Sequence, residues 1–230
     1  IPINGLVWMG SFDEMNKRIE DKLSEGFRCV KLKIGAIDFD SEMTLIKSIR
    51  KRYSKSAIEL RVDANGGFTA GDAMSRLEEL SKYDIHSIEQ PIRQKQWHEM
   101  SYLCANTPVP IALDEELIGV NIPKMKDDLL DYIKPQYIVL KPTLHGGMKG
   151  TREWIEKSRE RNVGSWITSA LESSVGLSAI AQLTSDIYGN DITMAQGLGT
   201  GALFADNLPS QTEIRENKVW LSQSNCIVFS

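Results

Sequence analysis

The stretch Cys29-Val-Lys-Leu-Lys-Ile-Gly35 decides the fold. It reads as a buried strand, yet lysines interrupt it at 31 and 33. Four later stretches repeat the pattern of an apolar run ending on a charge: Glu59-Leu-Arg-Val-Asp63, Ile85-His-Ser-Ile-Glu89, Ile111-Ala-Leu-Asp114 and Tyr137-Ile-Val-Leu-Lys141. A charge on a buried strand is costly unless it is paired or put to use. The terminal charges Lys33, Asp63, Glu89, Asp114 and Lys141 follow one another at steps of 25 to 30 residues. That is the length of one strand-plus-helix unit, so they hold equivalent places on consecutive units, and parallel strands would gather them at one end.

Helical signals fill the intervals. Ser11 and Glu14 form a capping box, Phe12, Met15, Ile19 and Leu23 make a helical stripe, and Gly26 ends it. Leu45, Ile46 and Ile49, then Ala73, Leu77 and Leu80, repeat the stripe. Strands are expected at 6–9, 30–34, 60–62, 87–89, 111–113, 137–140, 164–168 and 193–196. Eight βα units predict an α/β fold, a (β/α)8 TIM-type barrel. An open doubly wound sheet has fewer strands and a glycine-rich phosphate turn after the first, and neither mark is present. Gly197-Leu-Gly-Thr-Gly201 comes too late and lacks the third glycine at the right offset. The barrel is expected over residues 1–207, with 208–230 as a C-terminal extension packed on it.

The chain has 230 residues, 41% of them hydrophobic, and a net charge of −4. This supports one large core and offers no basic stripe for nucleic acid and no membrane-surface patch. A small-molecule partner is expected. Cys29, Cys104 and Cys226 are odd in number and widely spaced, against both a disulfide frame and a zinc site and in keeping with a reducing cytoplasm. No signal peptide and no apolar run of about 18 residues occurs. The chain starts at Ile1, without methionine, and enters a strand almost at once, so a preceding segment is expected in the native protein.

On a barrel, Asp63, Glu89 and Asp114 end three successive strands on the active face. Three carboxylates without histidine or cysteine suit a hard cation, Mg²⁺ or Mn²⁺. Lys33 comes one unit before the acids and Lys141 one unit after, so the two should face each other across the ion. Lys31 shares a strand face with Lys33 and supplies positive charge that would favour the amine form of Lys33 as a base. The combination describes removal of a proton next to a carboxylate.

Lys31-Leu-Lys33, Asp63-Ala-Asn65, Glu89-Gln-Pro91, Leu113-Asp-Glu115 and Leu140-Lys-Pro142 together resemble the barrel of the enolase superfamily, in its muconate-lactonizing subgroup. The resemblance implies Mg²⁺ on Asp63, Glu89 and Asp114, Lys33 and Lys141 as the catalytic pair, and a carboxylate substrate. Ser169-Ala-Leu-Glu-Ser-Ser-Val-Gly176 and Gln196-Gly-Leu-Gly-Thr200 resemble the members that dehydrate a succinyl-bearing hydroxycyclohexadiene carboxylate in menaquinone biosynthesis. Dipeptide epimerases, which carry Asp-x-Asp at the eighth strand, and N-acylamino acid racemases are the rival readings within the superfamily. A non-catalytic metal-binding barrel is the rival from another class. The resemblance also implies an N-terminal capping domain, and everything from Ile1 onward is expected to be barrel.

Secondary candidates are Lys31, Asn65, Ser169 and Gly197 around the substrate. Asn65 is equally a turn former before Gly66-Gly67. Ser173 and Ser174 read as helix caps or as donors to the succinyl carboxylate. Glu115 and Glu116 are expected to cap or lie on the surface, with Glu115 turned away from Asp114 by strand alternation. His145, before Gly146-Gly147, is a candidate to approach substrate, while His86 and His98 read as core or solvated. The tryptophans read as packing residues, with Trp8 also a candidate for the pocket wall.

Overall fold

The computed structural model describes residues 1–189, 192–200, 206–209 and 212–221. Strands and helices alternate as β1 (Gly5–Val7), α1 (Phe12–Ser24), β2 (Cys29–Lys33), α2 (Phe39–Arg52), β3 (Glu59–Asp63), α3 (Ala73–Ser81), β4 (Ile85–Glu89), α4 (Trp97–Asn106), β5 (Ile111–Leu113), α5 (Pro123–Ile133), β6 (Tyr137–Leu140), α6 (Gly147–Glu160), β7 (Gly164–Ile167) and α7 (Ser174–Tyr188). The seven strands pair in chain order, every pair parallel.

The ring is closed by two residues rather than by a strand at 193–196. Gln196 bridges Ile3 and Gly197 bridges Thr168, both in parallel. Backbone bonds run to either side: Asn4 N donates to Gln196 O at 3.0 Å and Gly197 N to Ile167 O at 2.8 Å. Gly197 and Gly199 follow at once, and glycines weaken any continuation as a strand.

The helix starts behave as their sequences require. Ser11 and Glu14 form both halves of the capping box on α1, Asp38 caps α2 through Ser41 N, and the Ser173 hydroxyl accepts from Gly176 N on α7. Met15 and Ile19 of the α1 stripe are buried, whereas Phe12 is 38% exposed in the first turn, at the open end of the barrel.

Strand alternation splits the interior in two. One set of side chains, including Val30, Leu32, Leu60, Val62, Ile88, Leu113, Ile138 and Leu140, packs outward against Ile19, Ile46, Leu77, Met100, Leu129 and Trp154 of the helices in one buried cluster. The other set points into the barrel, where Ala112, Val139 and Trp166 form a small apolar floor. Arg61 is buried there, with its guanidinium 4.5 Å from the Trp166 ring and Nη1 donating to Ala195 O at 2.9 Å.

Beyond residue 207, an antiparallel hairpin, β8 (Thr212–Arg215) and β9 (Lys218–Leu221), packs at the other end of the barrel. Its Val219 is buried, Val219 N donates to Ile1 O at 2.8 Å, and Ile3 N donates to Asn217 O at 3.0 Å. This is the described portion of the proposed 208–230 extension. Cys29 and Cys104 are free and buried, while Cys226 lies outside the described residues. Among the described residues no helix is long and apolar enough to cross a membrane.

Candidate active site

Pairing sets the ladder in register. Lys33 lies opposite Asp63, and Asp63 opposite Glu89. Glu89 lies opposite Ala112, two residues before Asp114, and Leu113 lies opposite Ile138, three before Lys141. All five therefore share the C-terminal rim of the sheet, the face where a barrel presents its chemistry.

The side chains converge as ion pairs. Lys31 Nζ stands 2.9 Å from Asp63 Oδ2 and 2.6 Å from Glu89 Oε2. Lys33 Nζ reaches Asp63 Oδ2 at 2.9 Å and donates to Asn65 Oδ1 at 2.6 Å, and its ammonium lies 5.3 Å from the Trp8 ring centroid. Lys141 pairs with Asp114. The three carboxylates are almost wholly buried, at 1%, 2% and 0% exposure for Asp63, Glu89 and Asp114.

Burial alone would raise the Asp63 carboxyl, but Lys31 and Lys33 outweigh it and hold it well below the usual carboxylate range. Glu89 goes the other way, pushed up to about 8 by burial and by the neighbouring charge of Asp63, against the pull of Lys31. Burial would lower Lys31, but the charges of Asp63 and Glu89 prevail and hold it above the ordinary lysine value. Lys141 is raised in the same way by Asp114 and Glu89. Lys31 is therefore a counter-ion wedged between two acids, and it shares Asp63 Oδ2 with Lys33, at 2.9 Å for each ammonium.

Whether the acids suit a cation is a question of donor chemistry. As arranged, no group of three or more His, Cys, Asp or Glu side chains among the described residues is set to hold a metal ion. The reason is visible in the pairing, since each carboxylate is turned onto a lysine. The donor set nevertheless fits a hard divalent ion: three buried carboxylates on adjacent strands, one forced up by burial and by its like-charged neighbours, and Asp114 Oδ1 buried without a hydrogen-bond partner.

An open cleft lies over this rim. Lys31, Lys33, Asp63, Glu89 and Lys141 line it together with Trp8, Leu144, Thr168, Ser169, Leu171 and Thr200. Ser169 thus reaches the wall, bonded to the Thr200 hydroxyl. Gly197 lies behind Thr168, where a Cβ would overlap the threonine side chain. Sequence reasoning did not single out Thr168, Leu171 or Thr200, although Leu171 and Thr200 lie in the two stretches quoted for the resemblance and Thr168 ends the expected seventh strand.

Three expectations are corrected. Glu115 is neither a cap nor a free surface group: its Oε1 accepts from Asn65 Nδ2 at 2.9 Å, and Asn65 Oδ1 holds Lys33. Glu116 is buried and accepts from Lys95 N and Trp97 Nε1, both at 2.8 Å. His145 does not face the cleft; it is wholly buried, and its Nδ1 accepts from the backbone N–H of Lys141.

Known proteins carry the same architecture. A family described as enolase C-terminal domain-like matches residues 14–223. The o-succinylbenzoate synthase of Desulfotalea psychrophila is 56% identical over 214 residues, 93% of this chain and 57% of that protein. The L-Ala-D/L-Glu epimerase of Bacillus subtilis is 28% identical over 76% of this chain and 47% of that protein. The crystal structure of MenC from Desulfotalea psychrophila LSv54 superposes with a TM-score of 0.87 at 53% identity, over 95% of this chain and 60% of that one. The muconate lactonizing enzyme solved at 1.85 Å gives 0.83 at 20% identity, over 95% of this chain and 60% of that one, a likeness of fold alone. The chain spans about half to six tenths of the length of these relatives. With its parallel ring, its rim of acids and lysines and a family match over most of its length, the chain belongs to the enolase C-terminal domain-like family.

Proposed function

We propose that this chain is the barrel of an o-succinylbenzoate synthase, a hydro-lyase that dehydrates 2-succinyl-6-hydroxy-2,4-cyclohexadiene-1-carboxylate to 2-succinylbenzoate. The observation that carries the reading is the placement of Lys33 and Lys141 in one cleft, flanking a buried row of Asp63, Glu89 and Asp114. The 56% identity to the Desulfotalea synthase, against 28% to the Bacillus epimerase, supports dehydration over epimerisation.

In this reading Lys33, in its amine form, takes the α-proton, and the electron pair left on carbon delocalises into the carboxylate as an enediolate. The Lys141 ammonium stabilises that charge from the other side of the cleft. Collapse of the anion expels the hydroxyl, which takes the proton back from Lys33 and leaves as water, so that the ring becomes aromatic and Lys33 returns to its amine form. Asp63, Glu89 and Asp114 would hold Mg²⁺ or Mn²⁺, which supplies positive charge for the substrate carboxylate. Asn65 orients Lys33 through its hydrogen bond. Ser169 and Thr200 offer hydroxyls to the succinyl end, with Gly197 setting their wall from behind.

Met9, Leu171 and Val175, exposed apolar side chains in the loops and helix starts of the open end, suit the capping domain that the resemblance implies. A cytoplasmic setting belongs to the same proposal. The test is an assay of the full-length protein with Mg²⁺ on the cyclohexadiene substrate and on N-succinyl amino acids. Elimination of water from the former is the expected result. Proton exchange in the N-succinyl amino acids without any elimination would replace the dehydratase by a racemase.

A further inference from the structure

We propose that His145 is a positioning residue for Lys141: sealed behind β6, its imidazole takes the Lys141 backbone N–H and so fixes the direction in which the lysine leaves the barrel wall. The kinetic part of this inference rests on the role proposed for Lys141 above. The geometric part does not.

Lys141 stands one residue past the end of β6. His145 supplies a partner for its N–H, with Nδ1 accepting at 2.9 Å. The Lys141 carbonyl is held by the same short turn, accepting from Leu144 N at 2.8 Å and His145 N at 3.1 Å. Both backbone groups of one lysine are therefore tied to a single loop, which defines the path of its Cα–Cβ bond.

The loop is itself immobilised. Gly146 and Gly147 turn the chain into α6 with φ of +85° and +71°, a left-handed path that other residues rarely adopt. One turn on, Gly150 lies so close to the His145 carbonyl that any side chain there would overlap it. His145 itself is 0% exposed.

Accepting at Nδ1 also settles the tautomer, since the ring proton must then sit on Nε2. Burial pulls the imidazole down to about 4, so near neutral pH the ring stays uncharged and Nδ1 remains an acceptor. Asp114, the partner of Lys141, is close enough for its charge to act on the ring. The lysine is thus set from one buried brace, and a displacement of about 1 Å at a reacting group can cost on the order of 100-fold in rate.

The experiment compares His145→Phe, which fills the space without an acceptor, with His145→Asn, whose Oδ1 can stand where Nδ1 stood. Steady-state kinetics on the full-length enzyme with Mg²⁺ are expected to show kcat for His145→Phe reduced about 10- to 100-fold with KM within about twofold, and His145→Asn restored to within about threefold of wild type. A kcat for His145→Phe within twofold of wild type overturns the inference, as does an asparagine variant no better than the phenylalanine one. If His145→Phe does not fold, His145→Gln, with its acceptor one bond too far out, carries the same comparison against His145→Asn. A wild type inert on every substrate would refute the functional reading alone. Crystal structures of wild type and variant then decide: loss of the Lys141–Asp114 pair in the variant upholds the brace, and its retention overturns it.

Discussion

The two faces of the strands bury the same backbone under opposite chemistry. On β3, Leu60 and Val62 point outward into an aliphatic layer shared with the helices, while Arg61 and Asp63 point inward beside Lys31 and Glu89. The outer layer is closed to water, whereas the inner one opens at its rim onto the cleft. The outer one is held by apolar area removed from water, which is cumulative and tolerant of position. The inner one is held by pairing, in which each charge depends on a particular neighbour, so removal of one partner exposes another. Changes on the outer face should therefore act on stability, and changes on the rim of the inner face on chemistry.

The largest separation is expected at Lys33. In the full-length enzyme Lys33→Ala should lower kcat by about 10²–10⁴-fold, the contribution typical of a positioned acid–base group. Its thermal midpoint should fall less than that of a core deletion, because Lys31 remains to pair with the buried Asp63 carboxylate. Full dehydratase turnover in this variant would remove Lys33 from the mechanism. On the opposite face, Leu60→Ala should cost about 2–5 kcal/mol in urea unfolding through the cavity left between β3 and the helices. The activity of the molecules that remain folded should be unchanged.

Much of this division was legible in the residues, because a charge ending an apolar run can be seen without knowing the fold. The recurrence of Lys33, Asp63, Glu89, Asp114 and Lys141 at even steps, with helical stripes between, carries both the barrel and the rim. What was not legible depended on where the regular backbone stops. Alternation turns Glu115 away only if β5 continues, but the chain enters a 3-10 turn at Glu115–Leu117, which aims Glu115 at Asn65 and buries Glu116. His145 looked like a substrate contact because nothing local reveals that its loop folds back onto the Lys141 N–H. The eighth stave was placed at 193–196, whereas hydrogen bonding to both neighbours selects Gln196 and Gly197. The role of Lys31 depends on distances: its ammonium lies against Asp63 and Glu89 and meets Lys33 at a shared Asp63 oxygen.

A smaller effect probes the inner layer without changing a lysine. If Asp63, Glu89 and Asp114 take up Mg²⁺, saturation at 100 times the dissociation constant should stabilise the fold by about 2.7 kcal/mol, read as a rise in the thermal midpoint. Asp114→Asn should abolish most of that rise, and a titration indifferent to this substitution would remove Asp114 from the ligand set.

The smallest effect is expected where the two layers meet. Gly197 closes the ring through its backbone, donating to Ile167 O at 2.8 Å and accepting from Ser169 N at 3.0 Å. Thr168, which lines the cleft, fills the space where a side chain on residue 197 would go. Gly197→Ala should therefore cost about 1–3 kcal/mol by overpacking. The methyl group can be accommodated only by pushing Thr168 and the adjoining Ser169 toward the cleft, so KM should rise while kcat changes less. A stability loss with unaltered KM would mean that the seam and the cleft wall are mechanically independent. A KM rise together with that loss would mean that closure of the barrel and the shape of its substrate wall are set by the same contact.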